Sequence, residues 1–126
     1  MGNAELHHRL VAILAADAVG YSRLMSVDER ATVAALDEAR SAFRHHIELN
    51  HGRVVDVAGD SVLAVFGTAT GAVMAAMAVQ DQLASLFAEV PEDHRMSFRV
   101  GVRLGDVIEK SDGTVYGDGV NIAARL

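Results

Sequence analysis

Two periods of apolar and polar positions alternate along this chain. The run Val11-Ala12-Ile13-Leu14-Ala15-Ala16 is unbroken and closed by Asp17, which predicts a buried strand over Arg9 to Ala16. Ser26-Val27-Asp28-Glu29 has the form of a capping box and predicts a helix start. Beyond it Val33, Leu36, Ala39, Phe43 and Ile47 recur at spacings of three and four, a single apolar stripe, and Gly52 is placed to end the helix. Arg53 to Val57 and Ser61 to Phe66 predict a hairpin around Gly59. A second helix, rich in Ala and Met, is predicted from Gly67 to about Glu89, stopped before Pro91. Phe98, Val100, Val102 and Leu104 alternate within a predicted strand over Ser97 to Glu109. Ser111-Asp112-Gly113 reads as a turn, and Gly117-Asp118-Gly119 precedes a last helical start over Val120 to Leu126.

The order strand, helix, hairpin, helix, strand is the split β-α-β-β-α-β pattern of ferredoxin-like α+β folds. It implies an antiparallel sheet with its helices packed on one face. Residues 1–8 read as an N-terminal tail and residues 9–126 as one domain. The chain stops inside its last predicted helix, so the expectation is a domain that continues past Leu126 and lacks its C-terminal strands here.

Composition narrows the function classes. Apolar residues make up 51% of the chain, enough for a real core in one domain. The net charge of -6, from 11 basic and 17 acidic side chains, argues against broad nucleic-acid or anionic-membrane binding. A single nucleotide, which needs only local compensation, stays allowed. There is no cysteine, hence no disulfide framework or thiolate metal site. No apolar run is long enough to span a bilayer, and the N-terminus lacks the apolar core of a signal peptide. Met1-Gly2 is not a myristoylation start, because Leu6 stands where Ser or Thr is needed. A soluble, cytoplasmic domain is the expectation.

The candidate chemistry lies at two aspartates. Asp17 ends the first strand and Asp60 sits in the turn Ala58-Gly59-Asp60-Ser61. Carboxylates at the ends of buried strands are poorly solvated and need compensation. Paired Mg²⁺ or Mn²⁺ ions holding a nucleotide triphosphate would supply it. Taken singly, an aspartate after a strand is an ordinary turn residue. The histidines show no zinc spacing; His45 and His46 are adjacent and predicted on different helix faces, and His7 and His8 fall in the tail. Met74 and Met77, with Val73, Leu83 and Phe87, read as core or dimer surface.

Three segments carry a family resemblance. Asp17-Ala18-Val19-Gly20-Tyr21-Ser22, Gly59-Asp60-Ser61 and Val120-Asn121-Ile122-Ala123-Ala124-Arg125 resemble the signature segments of class III nucleotide cyclases, in the family's order and spacing. In detail the chain is most similar to bacterial adenylate cyclase catalytic domains. The resemblance implies a palm-like fold and a homodimer with active sites at the subunit interface. It also implies two metal ions per site, Mg²⁺ or Mn²⁺, and conversion of ATP (or GTP) to a 3′,5′-cyclic nucleotide and pyrophosphate. Asp17 and Asp60 match the metal-binding aspartates. The backbone from Val19 through Gly20 and Tyr21 to Ser22 matches the triphosphate-binding turn. Asn121 and Arg125 match the pair that orients the ribose and stabilises the transition state; four residues apart, they share a helix face.

The base-reading positions depart from the family pattern. Adenylate cyclases usually place a lysine four residues before the second metal aspartate, and here that position is Asp56; the usual aspartate seven residues before the asparagine is Thr114. Asp56 with Thr114 could satisfy adenine, or could satisfy guanine, whose cyclases place a glutamate there, or could mark a degenerate nucleotide-binding and dimerisation module. A family lysine that contacts the triphosphate lies past Leu126, so this fragment is expected to be weakly active or inactive. The Gly-Gly-Asp/Glu-Glu-Phe hairpin of diguanylate cyclases is absent.

Overall fold

The computed structural model describes residues 6–112 and 115–116. Its elements run β1 (Leu6–Ala18), α1 (Tyr21–Val27), α2 (Glu29–Leu49), β2 (Gly52–Ala58), β3 (Ser61–Phe66) and α3 (Ala69–Leu86). A 3₁₀ turn (Glu92–His94), β4 (Phe98–Lys110) and the short β5 (Val115–Tyr116) complete them. The sheet order is β2-β3-β1-β4-β5, with every neighbouring pair antiparallel. Each helical crossover therefore skips one strand and leaves β1 between β3 and β4, the expected ferredoxin-like α+β arrangement.

The period-2 rule sorts β1 into two faces. Ala12, Leu14, Ala16 and Ala18 join the main core with Leu36, Ala39, Phe43 and Ile47 of α2 and Ala72, Ala75, Val79 and Leu83 of α3. Phe43 meets Phe98 edge to face at 5.1 Å between ring centroids. Val11, Ile13 and Ala15 point the other way and form a small cluster with Val65 and Val107 that no helix residue joins. One face of the sheet thus carries the helices; the other is bare of helices among the described residues, although Val11, Ile13 and Val107 on it are buried. Asp17 belongs to the bare face.

Several expectations need correction. β1 begins at Leu6, so His7 and His8, expected in the tail, pair with Glu109 and Ile108 of β4. α1 was not announced by the pattern, because Leu24 is its only buried residue. Ser26 does not cap α2. It lies in α1, donating to the carbonyls of Ser22 and Arg23, each at 3.1 Å. The cap is Asp28, whose carboxylate accepts the Ala31 N–H at 3.0 Å and adds a negative charge at the positive end of the helix. Val33 is exposed, and Thr32, four residues before Leu36, takes its place on the buried stripe, which Ala42 also joins.

Gly52 does not end α2 either. Asn50 is the C-cap and His51 turns the chain at φ 63, so Gly52 opens β2. Its lack of a side chain serves packing, since a Cβ there would lie 2.4 Å from Phe66 Cε2. α3 is shorter than its pattern, capped by Thr68 accepting from Gly71 N. In β4 only the first alternating residues reach the core: Phe98 is buried, whereas Val102 and Leu104 are exposed. Of the Met-rich group, Leu83 and Phe87 are core, while Val73, Met74 and Met77 are exposed. The rings of His45 and His46 meet at 4.9 Å rather than facing apart, and His46 Nε2 lies 2.6 Å from Gln82 Oε1, linking α2 to α3. Among the described residues no helix is long and apolar enough to cross a membrane.

Candidate active site

The register of the sheet assembles the site. Asp17 pairs with Ser61 of β3 on one side and Arg99 of β4 on the other. Directly opposed residues project to the same face, so Asp17 and Arg99 stand together on the bare face. Arg99 grips Asp17 with both arms of its guanidinium: Nε donates to Oδ1 at 3.0 Å and Nη2 to Oδ2 at 2.9 Å. Asp17 is 31% exposed and Arg99 67%. The bond to Asp17 first, then the Asp17 charge and more weakly that of Asp60, raise the Arg99 pKa above its ordinary value, against a small opposing effect of desolvation.

Asp60 arrives from the hairpin tip. Gly59 turns at φ 56, in the left-handed region that glycine occupies without strain. The Ser61 hydroxyl donates to Ala58 O at 2.7 Å, and Arg40 of α2 donates to the Gly59 carbonyl. Asp60 Oδ2 then accepts the Ala18 N–H at 3.1 Å, tying the hairpin to the end of β1.

Asp56 reaches the same place through an irregularity. β2 pairs regularly up to Val54 opposite Ala64, and then the register shifts so that Asp56 opposes Leu63. Without the bulge Asp56 would oppose Val62, whose side chain lies in the helix-side core. The extra residue, Val55, turns Asp56 onto the bare face instead. Asp17, Asp56, Asp60 and Arg99 line one cavity of about 360 Å³, floored by Ala15 and Gly101.

The turn after β1 is partly committed. Val19 N donates to Ser97 O at 2.8 Å, so that N–H is spent within the fold. Gly20 is the α1 N-cap in the left-handed region, with no side chain capping the helix, which leaves first-turn N–H groups of Tyr21 and Ser22 to other acceptors. Thr114, Asn121 and Arg125 lie outside the described residues.

Hard carboxylate oxygens are the donors Mg²⁺ and Mn²⁺ take. Among the described residues no three His, Asp or Glu side chains are close enough to hold a metal ion by themselves. The fit is therefore to ions that complete their shell with water and phosphate oxygens, the usual habit of Mg²⁺ at nucleotide sites. Asp17, near the end of β1, and Asp60, at the tip of the β2–β3 hairpin, are the residues that could hold them.

Arg99 is the site residue that the sequence pattern missed. A charge beside Phe98 at the start of an alternating strand was the available signal, but its pairing with Asp17 depends on a register between β1 and β4 that the sequence does not display.

The chain belongs to the family described as the adenylate and guanylate cyclase catalytic domain, whose profile matches residues 4–126. It is 44% identical to a putative adenylate cyclase 3 of Rhizobium meliloti, over 100% of this chain and 22% of that protein. Among solved structures it resembles an adenylate/guanylate cyclase/hydrolase from Silicibacter pomeroyi, at 35% identity and TM-score 0.79, covering 97% of this chain and 71% of that one. A bacterial light-regulated adenylyl cyclase shares the fold at 24% identity and TM-score 0.84, with 98% of this chain and 40% of that one covered. The chain thus spans about a fifth of the length of the first curated relative.

Proposed function

We propose that the protein converts ATP to 3′,5′-cyclic AMP and pyrophosphate at a site completed between two copies of the chain. The observation that carries this reading is the convergence of Asp17, Asp60 and Asp56 with Arg99 in one cavity at the strand ends of the bare face. The 44% identity to a putative adenylate cyclase supports adenine as the base. A cytoplasmic setting goes with this reading, since ATP is the substrate.

In the reaction the ribose 3′-oxygen attacks the α-phosphorus. The bond to the bridging oxygen breaks, pyrophosphate leaves with that electron pair, and the 3′-hydroxyl proton passes to water. Positioning and charge neutralisation supply most of the rate in such transfers. Two divalent ions held by Asp17 and Asp60, Mg²⁺ or Mn²⁺, would activate the 3′-hydroxyl and neutralise the leaving phosphates. First-turn N–H groups at Tyr21 and Ser22 donate to the triphosphate, and the left-handed Gly20 lets the backbone approach it. The Arg99 fork matches phosphate oxygens as well as it matches a carboxylate. Asp56 and Thr114 read the base. Asn121 of the second copy orients the ribose, and its Arg125 neutralises the charge that develops on the phosphate.

One observation favours a second reading. The Asp56 carboxylate is brought into the cavity by a bulge, and it is an acceptor only. Guanine offers N1–H and an amino group side by side, whereas adenine offers only its amino group, so GTP is the alternative substrate. The test is product analysis on the full-length protein with ATP and with GTP, each with Mg²⁺ and with Mn²⁺. Cyclic AMP from ATP is expected. Cyclic GMP with ATP untouched selects the second reading, and no product from folded protein under all four conditions overturns both.

A further inference from the structure

The Asp17–Arg99 pair sits where the proposed chemistry needs an open carboxylate. Both Asp17 oxygens are engaged by the guanidinium, at 3.0 and 2.9 Å. A forked approach of this kind occupies the side of the carboxylate that faces the incoming pair of donors, the side a chelated ion would also use. Asp60 Oδ2 is engaged too, by the Ala18 N–H, but that donor is backbone and uncharged. The cavity lining holds three carboxylates and one cation, Asp17, Asp56 and Asp60 against Arg99.

We propose that Arg99 is a resident counter-cation of the cyclase site, which holds Asp17 closed to divalent metal until an anionic ligand draws the guanidinium away. The inference rests on the reading of Asp17 as a metal-binding residue and deepens it by naming how metal loading is regulated.

Three features make the exchange feasible. Arg99 is anchored on a strand that pairs with β1 continuously from Leu6 to Ala18, so its backbone stays in place while the side chain moves. The side chain is 67% exposed, so leaving Asp17 buries no charge and opens no core cavity. A guanidinium beside a newly bound divalent ion is repelled by it, and the nearest compensation is a phosphate oxygen of the nucleotide. Metal and triphosphate should then each favour the binding of the other, because each removes one partner of the same ion pair. Metal without nucleotide meets the closed pair and binds weakly. The device leaves the three carboxylates of the cavity a counter-charge while the site waits for substrate.

The test is Mn²⁺ binding to the purified chain without nucleotide, followed by the electron paramagnetic resonance signal of free Mn²⁺. Wild type is compared with Arg99→Gln, Arg99→Lys and the double variant Asp17→Asn/Arg99→Gln, with folding of each checked by circular dichroism. Arg99→Gln is expected to bind Mn²⁺ about fivefold tighter than wild type, the scale of one partly exposed ion pair removed. Arg99→Lys, which keeps the charge but loses the fork, should fall between the two. Adding Asp17→Asn should abolish the gain. Equal or weaker Mn²⁺ binding by Arg99→Gln, with binding still lost on removing the Asp17 charge, overturns the counter-cation and leaves the metal site standing. Binding that ignores Asp17 in every variant, or no binding in any, overturns both.

Discussion

Asp60 accepts the backbone N–H of Ala18 at 3.1 Å, and that bond, beside the Asp17–Ser61 pairing, ties the tip of the β2–β3 hairpin to the end of β1. One carboxylate therefore has a structural partner and, in the proposed reaction, a chemical one. The two roles separate by substitution. Asp60→Asn keeps an oxygen for Ala18 and removes the charge, so the thermal midpoint should hardly move while cyclase activity falls at least about a hundredfold. Asp60→Ala removes both and should cost about 1 kcal/mol of stability as well. Calorimetry beside a turnover assay on the same two proteins checks this; equal activity in wild type and Asp60→Asn contradicts it.

Gly52 and Phe66 make a second separable pair. A Cβ at position 52 would meet the Phe66 ring at 2.4 Å, so Gly52→Ala should destabilise by about 1–3 kcal/mol through overpacking. Adding Phe66→Leu should recover part of that loss, since a smaller side chain then faces the new methyl. A double-mutant cycle by urea denaturation reads the coupling. Additive losses in the double variant would show that the ring is not what the methyl meets.

Glu109 supplies a pH signature. Its bond to Arg9 at 2.8 Å, with the nearby Arg53 charge, holds its carboxyl below the ordinary value of 4.5. The folded pKa lies below the unfolded one, so the contribution is present above the unfolded value and is lost as pH falls through the folded value. Glu109→Gln should cost only about 0.5 kcal/mol at neutral pH, because the pair is partly solvated. The gap between the two proteins should close as acid protonates Glu109 in wild type. Denaturation midpoints at neutral and acid pH measure it, and a gap that widens with acid would reverse the sign.

Asp56→Lys restores the lysine that adenylate cyclases of the family usually carry. It should raise the ATP to GTP turnover ratio by about tenfold, the scale of one discriminating polar contact. An unchanged ratio with unchanged ATP turnover would remove Asp56 from base recognition.

The main elements were legible because their periods differ. A strand run around Ile13 and a stripe through Leu36, Ala39, Phe43 and Ile47 state their own geometry, and their order states the topology. Asp17 and Asp60 were legible for a different reason, as charges at the ends of apolar runs. What stayed hidden depends on contacts between elements. α1 buries one residue and so leaves no stripe. Gly52 looks like a helix stop until Phe66 is seen against it. Asp56 faces the cavity only because of the Val55 bulge, and Arg99 meets Asp17 only through a register between strands far apart in sequence. Thr114, Asn121 and Arg125 lie outside the described residues, so their parts in the reaction rest on the motif they match.

The central claim is that Asp17 and Asp60 hold the ions that drive cyclisation. Its most direct measurement is cyclic AMP formation from ATP by the full-length protein as Mn²⁺ is titrated, in wild type, Asp17→Asn and Asp60→Asn. Wild type should form product in a Mn²⁺-dependent way, and neither variant should form any above background at any Mn²⁺ concentration. Cyclic AMP formed by either variant at the wild-type rate would contradict it.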